Sequence, residues 1–171
     1  MCAFCGAGLG RQEPVSFSLE RVTAGYEWHT GGALVASAND TSGLWQLHDA
    51  HGSHVVTLVP ITDGWGTSPG LALVGPQARL LGSIRAETDG GNGSTVAADP
   101  DGRAVLVLRT DGEHAAHLVD RRGDVVALAS WEAPDAATDL LVTALGTRHS
   151  LAMVFGLLLS FEVTRRARHH A

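Results

Sequence analysis

The chain has 171 residues, 44% of them apolar and 18% charged, with a net charge of −6. That is one ordinary domain's worth of sequence with enough apolar material for a real core, which excludes a disordered chain. The acidic balance excludes nucleic acid as the main partner. All of the basic side chains are arginine, as GC-rich coding would give.

Residues 1–14 hold both cysteines, Cys2 and Cys5, in MCAFCGAGLG. The spacing is that of half a zinc knuckle or of a redox pair, but no second pair follows. Incidental cysteines in a flexible tail, metal binding, lipidation and redox chemistry all remain open there. No basic n-region with a following apolar run marks a signal peptide, so the cytoplasm is the expected location.

From Val15 the pattern is β. Residues 15–22 alternate, with Val15, Phe17 and Leu19 on one face. Tyr26 to His29 and Ala33 to Ala38 flank Gly31-Gly32 as a hairpin. Leu44 to His48 and His54 to Val59 form the next, with Pro60 expected to end it. Leu71, Leu73 and Leu80 to Ile84 surround Gly75-Pro76. Thr95 to Ala98 and Ala104 to Arg109 flank Asp99-Pro100-Asp101-Gly102, a strong turn signal because Pro presets φ and Gly takes the left-handed position. Ala115 to Val119, Val125 to Ser130 and Asp139 to Leu145 complete the series. Trp45 and Trp131 fit barrel packing better than ligand stacking, and Trp65 falls in a loop.

The strands end at SLAMVFGLLLSFEV, residues 150–163, apolar on every side except for Ser160 and Glu162. At ~1.5 Å per residue it reaches about 20 Å, short of the ~30 Å hydrocarbon core. A helix apolar all round and too short to span belongs in a core. Leu151, Met153, Val154, Phe155, Leu157, Leu158 and Phe161 are its expected core residues, and no transmembrane span is expected. Arg165, Arg166 and Arg168 follow in a basic tail, 165–171. They read either as cations at a helix C-terminus or as contacts for anionic lipid head groups.

About eleven short strands and one apolar helix predict a mainly β fold. A closed antiparallel barrel threaded by the helix uses the inward face of every strand and leaves no exposed edge. The expected division is a tail over 1–14, the barrel with its helix over 15–164, and the basic tail.

Chemistry is harder to find. His48, His51 and His54 are spaced three apart around one turn, and three imidazoles hold a metal if they converge. Exposed turn histidines are the alternative. There is no G-x-S-x-G elbow and no phosphate-binding loop. No cofactor is expected beyond a metal at those histidines or at Cys2 and Cys5.

The order of pieces resembles the phospholipid scramblase family and its LURP-one-related and tubby-like relatives. YEWHTGGALVASAND over 26–40, LWQLHDAHGSHVVTLVP over 44–60, LALVGPQARLLGSI over 71–84, VAADPDGRAVLVL, LVDRRGDVVALAS, and the helix LAMVFGLLLSFE over 151–162 are similar to its successive hairpins and terminal helix. The resemblance implies a twelve-stranded barrel around a central helix and a connection to phospholipid. WEAPDAATDLL, residues 131–141, stands where the calcium-dependent members carry an acidic segment. Glu132, Asp135 and Asp139 there do not make the alternating carboxylate loop that calcium needs. The expected function is a non-enzymatic module that binds anionic phospholipid, peripheral to the inner membrane face. The rivals are a barrel binding a protein partner or small ligand, and a metal-dependent enzyme.

Overall fold

The computed structural model describes residues 15–61, 70–89, 92–132, 139–144 and 151–169. Twelve strands form a closed antiparallel barrel: β1 (Val15–Val22), β2 (Gly25–Thr30), β3 (Ala33–Thr41), β4 (Leu44–Asp49), β5 (His54–Ile61), β6 (Gly70–Val74), β7 (Leu80–Asp89), β8 (Asn92–Ala98), β9 (Ala104–Asp111), β10 (Ala115–Asp120), β11 (Val125–Ser130) and β12 (Leu140–Ala144). Each strand pairs with its neighbours in sequence, and β1 pairs with β12 to close the ring, from Val15 opposite Ala144 to Leu19 opposite Leu140.

The helix α1 (Leu151–His169) lies inside. A twelve-stranded ring is wider than side chains alone can fill, and a helix about 10 Å across fits the space. Inward alanines such as Ala36, Ala38, Ala97 and Ala129 leave room for it. Phe155 sits between Phe17 and Trp28, with ring centres 5.5 and 5.3 Å away. Gly156 brings the helix onto the wall: a Cβ there would lie 3.0 Å from Leu73 Cδ2 and 3.5 Å from Leu58 Cδ2. Met153, Val154, Leu157 and Leu158 are buried as expected, and Phe161 is half-buried against Trp131. The side chain of Leu151 lies outside the described residues.

Three hairpins at the end where the helix enters share one turn. In Asp49–Gly52, Asp99–Gly102 and Asp120–Gly123 the aspartate Oδ1 accepts from the N–H groups two and four residues on, at 2.8–3.1 Å. The glycine closing each has φ near +80°, the left-handed region where a Cβ is unfavourable.

Two expectations need correction. Pro60 lies inside β5, opposite Leu71, rather than ending it. The ladder between β4 and β5 stops at Trp45 opposite Leu58, so on that side no strand asks for the N–H that proline lacks. The helix runs on to His169, so Arg165 and Arg166 belong to its last turns and not to a solvated tail. Both are buried.

Candidate functional site

The charges at the far end of the helix are turned inward. Glu162 is fully buried, and its carboxylate accepts from Arg165 Nε and Nη2 at 2.8 and 2.9 Å and from Arg166 Nε at 2.5 Å. Arg166 Nη2 also donates to Asp139 Oδ1 at 3.3 Å. The Arg165 guanidinium lies over Trp131, 5.2 Å from its centre, and that of Arg166 over Tyr26 at 5.8 Å. The cause is spacing: three and four residues apart on a helix, these side chains share a face. Burial, and then the Glu162 carboxylate, raise the Tyr26 phenol above its ordinary 10.0. Arg166, Tyr26, Arg21, Asp40 and Trp45 line a cavity of about 360 Å³ at this barrel end. Arg165 and Arg166 are thus spent on internal ion pairs and do not form the lipid-facing patch read from the sequence. Arg168 is helical, and its side chain lies outside the described residues.

The histidine trio does not converge. His48 and His54 are opposite each other in the ladder, with ring centres 5.9 Å apart. His51 is exposed on the turn between them. Among the described residues no three His, Cys, Asp or Glu side chains are grouped to hold a metal. Cys2, Cys5, Trp65 and Asp135 lie outside the described residues.

A groove that sequence reading missed crosses the outside of the barrel, with a volume of about 900 Å³. Outward positions of three adjacent strands make its floor. Ser18 on β1 and Ser130 on β11 both pair with Leu141 on β12, and Ser16 and Leu128 both pair with Thr143. Leu141 is 55% and Leu128 47% exposed. Glu20 and His29 border one side and Asp111 the other. His29 Nε2 is 2.8 Å from Glu27 Oε2 and 3.9 Å from Glu20 Oε2, while Ser18 Oγ donates to Glu20 Oε1 at 2.8 Å. Across the groove, His117 Nδ1 is bonded to Asp111 Oδ2. The surface combines exposed leucines, hydroxyl groups and bordering carboxylates. The usable signal was the apolar run Leu140-Leu141-Val142: in a strand, one of two adjacent leucines must face out.

These features define the class: a twelve-stranded antiparallel barrel filled by its own C-terminal helix. An X-ray structure of a protein from Arabidopsis thaliana has the same fold, with a TM-score of 0.63 and 15% identity over 89% of this chain and 91% of that one. At that identity the likeness shows the fold alone. No family model and no curated protein matches the sequence.

Proposed function

We propose that this chain is a scramblase-like, LURP-one-related and tubby-like barrel that acts as a non-enzymatic binding module. Its binding surface is the groove over β1, β11 and β12. The observation that carries this is the exposure of Leu128 and Leu141 in a concave surface bordered by Glu20 and Asp111. Its occupant is a protein segment that offers apolar side chains to the leucines and cations to the carboxylates. The test is fluorescence anisotropy with a labelled peptide of alternating leucine and lysine. Leu141→Asp should weaken binding at least about tenfold, although it adds a negative charge. A peptide held only by the overall charge of −6 would bind that variant equally well or better, and this result would remove the proposal.

A second reading keeps the phospholipid connection, with the protein cytoplasmic and peripheral to the inner membrane face. It is supported by the barrel and central helix that the resemblance implied. Burial of Arg165 and Arg166 on Glu162 counts against it. No described helix is long and apolar enough to cross a membrane. Co-sedimentation of the full chain with phosphatidylcholine vesicles, with and without phosphatidylserine or cardiolipin, at low salt separates the two. Binding that requires the anionic lipid supports this second reading; no binding to either vesicle removes it.

A further inference from the structure

His48 lies near the end of β4 and His54 begins β5, and the ladder sets them directly opposite each other, beside a bulge. The two rings meet edge to face, with their centres 5.9 Å apart. That spacing is close to what two imidazoles on one cation require. A metal–nitrogen bond of about 2 Å plus a ring radius of about 1 Å puts each ring centre about 3 Å from the metal, so two centres stand about 5 Å apart at a tetrahedral angle and at most about 6 Å apart in line, and these rings need to close by about 1 Å onto a tetrahedral cation.

The surroundings leave these rings available. His54 Nε2 is 2.8 Å from Thr57 Oγ1. In the tautomer in which Nε2 donates to that hydroxyl, Nδ1 keeps its lone pair, and the hydroxyl does the orienting work of an outer-shell partner. Among the described residues His48 makes no side-chain hydrogen bond or ion pair, only the ring contact with His54. Both rings are half-buried, so water reaches them. The backbone that sets their spacing is held by the intervening turn, where Asp49 Oδ1 accepts from His51 N and Ser53 N at 2.9 Å.

We propose that His48 and His54 form a two-imidazole site for a nitrogen-preferring divalent cation, Zn²⁺ or Cu²⁺, with water completing the coordination. The turn residue His51 is not a ligand. The site is independent of the groove and of the peptide reading.

The test is a ¹⁵N NMR titration of the full chain with Zn²⁺, repeated with Cu²⁺. Zn²⁺ should shift, and Cu²⁺ broaden, the amides of residues 46–57. His48→Ala and His54→Ala should each weaken the effect at least about tenfold, while His51→Ala leaves it within about twofold. Spectral dispersion reports that each variant is folded. The proposal is overturned if the hairpin amides stay unperturbed while those near Cys2, Cys5 or the C-terminal histidines respond. It is equally overturned if His48→Ala binds as the parent does.

Discussion

The Glu162 carboxylate takes two hydrogen bonds from the Arg165 guanidinium, 2.8 and 2.9 Å long, with both residues buried inside the barrel mouth. Arg166 adds a third to the same carboxylate. Removing one partner of a buried pair strands the other charges. Glu162→Gln should therefore destabilise the protein by about 3–5 kcal/mol, read from urea denaturation. Replacing Glu162, Arg165 and Arg166 together by leucine and methionine should do far less harm. A triple variant as unstable as Glu162→Gln would show that the charges are needed for more than their own neutralisation.

Tyr26 is the one tyrosine in the chain, so its ionisation can be followed by ultraviolet absorbance without overlap from another phenol. Burial and Glu162 favour its neutral form, so it should titrate above 10.0. Between the ordinary and the raised value the folded state holds a proton that the unfolded state has lost. Stability contributed by Tyr26 is thus fully present below about pH 10 and declines as pH climbs through the raised value. Tyr26→Phe should flatten that part of the alkaline stability profile. An absorbance midpoint at or below 10 in the folded protein would contradict the burial argument.

Asp99 has the opposite sign. Hydrogen bonds from the backbone, first that of Arg103, and the nearby Arg121 lower its pKa. Its contribution is present above the ordinary carboxylate range and is lost as pH falls through the lowered value. Arg121 Nη2 reaches Asp99 Oδ2 at 2.9 Å, linking the turn after β8 to the turn after β10. Asp99→Asn should make stability less dependent on pH below about 4, as followed by circular dichroism. An unchanged acid limb would mean that the carboxylate charge contributes nothing there.

Gly82 sits where the barrel wall, its neighbouring strand and the helix meet. A Cβ there would lie 2.2 Å from the Ala98 carbonyl oxygen and 3.1 Å from Met153 Cε. The oxygen is backbone and cannot swing aside, so Gly82→Ala should cost about 2–4 kcal/mol. Gly123→Ala is the control: its φ is also positive, at +83°, but its Cβ would meet open space. It should cost only the left-handed penalty, about 1–2 kcal/mol. Equal losses in thermal denaturation would sink the steric account.

Much of the barrel was legible because local chemistry dictated it. Val15–Val22 alternates, and Asp99-Pro100-Asp101-Gly102 contains its own turn geometry. The helix was legible in its apolar stretch and misread at its end. Arg165 and Arg166 look like solvent-facing charges until their spacing from Glu162 is weighed: three and four residues on a helix place them on the same carboxylate. Pro60 looked like a stop because proline lacks a donor, and only the register shows that no partner strand needed one. The groove could not be read locally. Ser18, Leu141 and Ser130 are brought side by side by ring closure, a long-range pairing that no single segment encodes.

The pairing of Val15 with Ala144 also means that the ring cannot close before the twelfth strand has been made. During translation the first strand waits, unzipped along one side, until the twelfth has left the ribosome. The helix that fills the interior is made later still. A chain halted before Leu140 lacks both the strand that closes the ring and the helix that fills it, so any sheet it formed would have open edges at β1 and β11. A premature stop late in the message should therefore yield aggregates rather than a smaller barrel.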